Sequence, residues 1–190
     1  MLPDHAITEH RGLAFAPNGV VPAGRVEITY SGGLAHVYFA HVAGRLDAGA
    51  LQSRYPGLAE HAADLAGVGI VMVKDRDGGS LLTRDGRFPL GTPLASQTTA
   101  LLQRFDEPEV LAAQLRRLNS FERSGDLVIF GAYDGAKQVN FEDQVGGHGS
   151  VGGDQLHPFL LTKKEWGLDT THVTNASDLY PILVALRDRK

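Results

Sequence analysis

The tightest constraint on this chain is the stretch from Val139 to Leu161, VNFEDQVGGHGSVGGDQLHPFLL, in which five glycines fall within the eight residues 146–153 and surround His148. A backbone this rich in glycine loses too much conformational entropy to be held as regular helix or strand. The pattern predicts a loop built from turns, with positive φ or close approach to another segment. The neighbours of His148 are Gly147 and Gly149, so its imidazole is sterically open to a metal, a phosphate or solvent. The competing reading is a flexible surface connection with a solvated histidine, the commoner use of such sequence.

The 190 residues, 43% of them hydrophobic, suffice for one sizeable globular domain covering 1–190. A net charge of −4, with no basic run longer than Lys163-Lys164 or Arg116-Arg117, lacks the footprint of a nucleic-acid-binding surface. The absence of cysteine excludes disulfides, thiolate nucleophiles and cysteine-rich zinc sites. The opening MLPDHAITEHRG has neither the basic nor the apolar block of a signal peptide, and no apolar run reaches the ~18 residues of a membrane helix. The expectation is a cytoplasmic chain without a membrane segment. Eight histidines stand out, histidine being the commonest metal ligand and the side chain best suited to proton transfer near neutrality.

Alternation predicts a β-hairpin, RVEITY (25–30) and LAHVYFAHV (34–42), joined by Ser31-Gly32-Gly33. Its second strand places His36 and His41 on opposite faces, so they cannot chelate one metal together. Asp47 is expected to cap a helix reaching Arg54, and Pro56 to open a second helix running toward Gly67. Val68–Lys74 reads as a buried strand, followed by a short strand at Leu81–Thr83 and the Asp85-Gly86 turn. Residues 96–105 are weakly helical, and Pro108 starts a stronger helix with Val110, Leu111, Leu115 and Leu118 on its apolar face. Asp126–Ala132 reads as a buried strand answered by Lys137–Phe141 across a turn, Pro158–Leu161 as a further strand, and the chain ends in a helix capped by Ser177. Strands and helices mix throughout, so the class is α/β or α+β with a largely buried central strand, and the expected architecture is an α/β fold with a mixed sheet and flanking helices.

Four segments resemble one family. Asp4-His5-Ala6 with Pro17-Asn18, then SGGLAHVYFAHVAGR (31–45), SGDLVIFGAY (124–133) and VGGHGSVGGDQLHPFLL are similar, in order and spacing, to the carboxy-terminal half of type I phosphodiesterases/nucleotide pyrophosphatases of the alkaline phosphatase superfamily. The resemblance runs from Asp4 to about Leu183, with its most specific block at 125–161. It implies the carboxy-terminal part of an alkaline-phosphatase-like fold, and makes residues 1–190 a portion of a larger phosphodiesterase-like domain. It also implies zinc or manganese at a two-metal site, with Asp4 and His5 as ligands of one ion and His148 of the other. Ala6 stands where the family has glycine, and Pro3 where it has a small residue.

The family's nucleophile and remaining ligands precede the Asp-His-Gly motif, where this chain has only Met1, Leu2 and Pro3. The expectation is therefore a fragment or degenerate relative of a metal-dependent phosphodiesterase, not catalytic alone and with no catalytic residue assigned. Glu142 and Asp154 flank the loop and are candidates for orienting His148, as carboxylates do for metal-bound histidines. The alternative is a non-catalytic domain that binds a small phosphorylated ligand or other anion on the amides around Gly147 and Gly149, or that serves protein interaction. A third arrangement, one metal on His148 with His157 or His10, lacks paired helical spacing. If upstream strands complete the sheet, 68–74 and 126–132 would expose edges or apolar faces, predicting a homo-oligomer or a partner chain that covers them.

Overall fold

The computed structural model describes residues 25–143 and 146–187, so Asp4, His5 and His10 lie outside the described residues. The chain divides into two compact units, meeting in sequence at Leu156/His157. In the first unit six strands form one sheet: β1 Val26–Ser31, β2 Leu34–Phe39, β3 Val68–Val73, β4 Ser80–Thr83, β5 Gly86–Pro89 and β6 Leu127–Gly131. Their spatial order is β1-β2-β6-β3-β4-β5. Every neighbouring pair is antiparallel, which corrects the expected mixed sheet. The reason lies in the connections: β1 to β2, β3 to β4 and β4 to β5 are hairpins, and only a long crossover brings strands side by side in parallel.

The two longer connections carry the helices. Helices α1 (Ala48–Arg54) and α2 (Leu58–Asp64) lead from β2 to β3, while α3 (Ser96–Leu102) and α4 (Pro108–Ser120) lead from β5 to β6. The period-2 pattern of β3 then divides its side chains between two cores. Val71 and Val73 pack with Leu51, Leu58 and Ala62 on the α1/α2 face, whereas Ile70 and Met72 pack with Leu102, Leu111 and Leu115 on the α3/α4 face. A strand covered on both faces must be apolar throughout, which explains the uninterrupted run VGIVMV.

This arrangement overturns the expected exposed edges. β6 lies between β2 and β3, and β3 lies between β6 and β4, so both strands nominated as bare are interior; the outer strands are β1 and β5. Helices of this same chain cover both faces of β3 and β6, so those two strands give no ground for a covering partner, while β1 and β5 remain edge strands. No helix among the described residues is long and apolar enough to cross a membrane.

Helix ends follow local chemistry. Asp47 caps α1 by accepting the Ala50 N–H at 2.8 Å, and Pro108 occupies the first turn of α4, where its missing N–H would have had no helical partner. Helix α2 starts at Leu58 after Gly57 at φ 74°, not at Pro56. In the second unit, α5 (Ala176–Arg187) begins one residue before the expected Ser177 cap; Asp178 instead accepts the Thr174 N–H at 3.1 Å. The expected strand at 158–161 is absent: with Pro158 lacking a donor, the segment pairs with no described strand, and Phe159 and Leu161 are exposed.

The lead-in to β6 is a buried polar knot. The Asp126 carboxylate, 5% exposed, accepts the Phe39 N–H at 2.8 Å and the Leu46 N–H at 2.6 Å, tying the end of β2 and the start of α1 to β6. Arg45 donates from Nε to the Gly125 carbonyl at 2.8 Å and from its other nitrogens to the backbone and side-chain oxygens of Asn119. The Gly125 N–H donates to His36 Nδ1 at 2.9 Å, and a Cβ on Gly125 would lie 2.6 Å from the Leu127 carbonyl oxygen. That accounts for the glycine.

Two predictions come from this knot. Asp126→Ala leaves two buried N–H donors without an acceptor and should cost about 3 kcal/mol of stability in urea denaturation. The second concerns pH. Burial, and then the Arg45 charge, lower the His36 pKa below its ordinary 6.5. The unfolded chain therefore binds the proton more readily, and stability present above the unfolded value falls as pH drops through about 6.5 toward the folded value. His36→Asn, which keeps an acceptor for the Gly125 N–H, should flatten the stability profile between about pH 7.5 and 5. The depressed carboxyls of Asp75, Asp134 and Asp169 act in a lower window, below their ordinary 3.8.

Candidate functional site

The site is assembled where β6 delivers the chain to the β1–β2 turn. After Gly131 the chain reverses at Asp134, whose carboxylate accepts the Ala136 and Lys137 N–H groups at 2.9 and 2.7 Å. The expected strand at 137–141 is reduced to a single bridge, Tyr133 to Gln138. Its backbone finds other partners: Val139 N–H donates to the Ala132 carbonyl at 2.9 Å, and Phe141 N–H donates to the Gly32 carbonyl at 2.7 Å. The segment is thereby drawn off β6 and onto the hairpin turn.

The glycine loop docks on that same turn. Gly33 N–H donates to the His148 carbonyl at 2.8 Å, and the Gly33 carbonyl accepts the Gly131 N–H at 2.8 Å. Gly32 has φ +57°, and a Cβ there would collide with the His148 carbonyl; a Cβ on Gly33 would lie 2.6 Å from Ser150 Cβ. Only glycine permits this approach of two backbones. Beyond His148 the loop runs inward: Ser150 and Val151 are buried, and Val151 joins the α3/α4-side core. Gln138 Nε2 donates to Ser150 Oγ at 2.7 Å, and Gln155 Nε2 donates to the Gly152 carbonyl at 2.8 Å. The loop is a packed element, so the reading of it as a flexible connection fails.

His148 stands exposed at the outer end of this lock, its Nε2 3.4 Å from Ser31 Oγ. Glu142 is half-buried and its carboxylate accepts the Gly32 N–H at 2.5 Å, so it comes to the same turn as His148 but serves the backbone. Asp154 is exposed at the start of a short 3-10 helix, Asp154–Leu156. Gly147 lies against Asn140, where a Cβ would meet the side-chain amide. Gly149, at φ +82°, passes Ser31 and Leu34. Asn140 Oδ1 is buried and has no hydrogen-bond partner among the described residues.

Two other histidines of the first unit have partners of their own. His36 belongs to the knot at β6, and His41 Nε2 is paired with the Tyr55 hydroxyl at 2.7 Å. His157 belongs to the second compact unit. Among the described residues no three of His, Asp and Glu gather into a group able to hold a metal ion. The residues that sequence reasoning passed over are Ser31, Gly32, Gly33, Gln138 and Asn140. Gly32-Gly33 reads in sequence as an ordinary hairpin turn, and only the structure shows that another backbone comes close there.

No protein-family model matches the chain, and neither curated proteins nor solved structures give a match.

The lock is testable at Gly32. Gly32→Ala should lose at least about 2 kcal/mol in urea denaturation, from left-handed backbone strain plus the collision with His148. Gly44→Ala, at φ +75° with open space around it, should show the strain alone, about 1 kcal/mol. Loss of hydrogen-exchange protection at the Gly33 amide in Gly32→Ala would identify the undocked loop.

Proposed function

We propose that this chain is a fragment or degenerate relative of a metal-dependent phosphodiesterase or phosphohydrolase, carrying one ligand-bearing loop of a two-metal site and not catalytic on its own. The observation that carries the reading is the backbone lock on His148: buried Gly33 bonds its carbonyl and buried Gly32 packs against it, while the imidazole stays exposed. A ligand presented from a fixed backbone needs little reorganisation to bind. The order of motifs shared with type I phosphodiesterases supports the same reading, and gives Asp4 and His5 the other metal.

The donor count sets the limit on chemistry. A catalytic zinc takes three protein ligands and keeps one open position. Among the described residues the turn offers the His148 imidazole and a Glu142 carboxylate already bonded to Gly32. That set does not complete a metal site, and no catalytic step is assigned to it. Zinc or manganese, where fully liganded, would supply Lewis-acid polarisation of a phosphoryl oxygen. The chain's own contribution is narrower: Gly33 fixes the His148 main chain, and Ser31 Oγ lies beside its ring.

The second reading is a non-catalytic anion-binding or protein-interaction domain. It would use the amides around Gly147 and Gly149; the neighbouring Gly32 amide, in the β1–β2 turn, is already taken by Glu142 and adds nothing to it.

Elemental analysis of the purified chain, with phosphodiester hydrolysis measured on the same sample, should find less than one equivalent of metal and no turnover. Zinc titration should show weak binding that disappears in His148→Ala. Stoichiometric metal with hydrolysis that His148→Ala abolishes would overturn the claim of inactivity. Zinc binding unchanged in His148→Ala would overturn the assignment of the ligand.

A further inference from the structure

A cavity of about 890 Å³ opens beside the polar knot, and none of its lining residues belongs to the glycine loop. Its volume falls within the ~300–1,000 Å³ of small-molecule sites. Five cationic side chains line it against three carboxylates, a local surplus of two positive charges on a chain whose net charge is −4. Such a surplus in a concavity attracts anions more strongly than the overall charge would suggest.

The carboxylates are largely spent. Asp126 is held by the Phe39 and Leu46 amides, and Asp75 by Arg87 at 2.8 Å and Ser80 Oγ at 3.0 Å; Glu122 is exposed. The cations are not. Lys74, Arg76 and Arg123 are exposed and form no ion pair among the described residues, and Arg116 has only a 3.4 Å contact with the Gly91 carbonyl. Arg45 differs from them, each of its three nitrogens being bonded within the wall. Beside these cations Phe121 is 50% exposed on the cavity lining, an uncovered aromatic surface next to unpaired positive charge.

We propose that this cavity binds a small phosphate ester with a planar or apolar body, the phosphate held by Arg76, Arg116, Arg123 and Lys74 and the body resting on Phe121. Guanidinium forks match phosphate oxygens in a bidentate geometry. An exposed ring at the same mouth gives the non-ionic part of the ligand a surface to cover. The site is independent of His148 and of any metal, so its test does not depend on the phosphodiesterase reading.

Isothermal titration with ADP and with inorganic pyrophosphate, in buffer containing EDTA, tests it on the full chain. Both should bind saturably, and more weakly as salt is raised. Arg76→Glu/Arg123→Glu, two exposed changes, should weaken both probes at least about tenfold. Arg54→Glu, an exposed cation away from the cavity, should leave them unchanged. Phe121→Ala should weaken ADP but not pyrophosphate. No saturable binding at millimolar probe, or equal weakening by Arg54→Glu, would overturn the site. Equal loss of both probes in Phe121→Ala would overturn the role given to the ring.

Discussion

One buried carboxylate holds the molecule's central strands in register with their helices. Asp126 sits where β6 begins, and its two oxygens are bonded to the main chain at the end of β2 and at the start of α1. A carboxylate taken out of water is stable only if its lone pairs are met, and two amides plus the neighbouring Arg45 charge meet them here. Since β6 pairs with both β2 and β3, fixing the residue just before it fixes the middle of the sheet. Both cores are built on that middle, as Val128 and Phe130 face α3/α4 while Leu127 faces α1/α2.

Much of this was legible in the sequence where local rules govern. The hairpin at 25–39, the buried run of β3, the Asp47 cap and Pro108 at a helix start are all set by residues within a few positions of one another. What failed was non-local. The strand expected at 137–141 alternates well enough, but its amides are divided: Lys137 and Val139 bond locally to Asp134 and Ala132, and Phe141 bonds to Gly32, over a hundred positions away in the chain. The apolar run at 158–161 reads as a strand only if an edge is available to it. The mixed sheet and the bare strands came from supposing elements upstream, whereas the chain's own hairpins and helices cover β3 and β6.

The candidate site was half legible for the same reason. The glycines announced an unusual backbone around His148, and the structure gives that backbone a purpose in its fit against Gly32 and Gly33. No pattern in the sequence announces that Glu142 bonds to a backbone amide instead of to the histidine, or that Asn140 has a buried oxygen unmatched among the described residues. The cationic cavity was less visible still. Its arginines come from the β3–β4 connection, from α4 and from the approach to β6, and in sequence they form no basic run.

The distance in sequence across the lock bears on how the molecule is made. Ser31 and His148 are 117 positions apart, and the loop between them contains nearly the whole sheet. Closing so long a loop has a high entropic cost that only prior structure offsets. The His148 loop has no seat until β1 and β2 have paired, and Gly131 reaches that seat only when β6 is in the sheet. Display of the imidazole thus depends on contacts that span the sheet, and a chain in which the β1–β2 turn is not formed lacks the Gly33 bond that holds the His148 carbonyl.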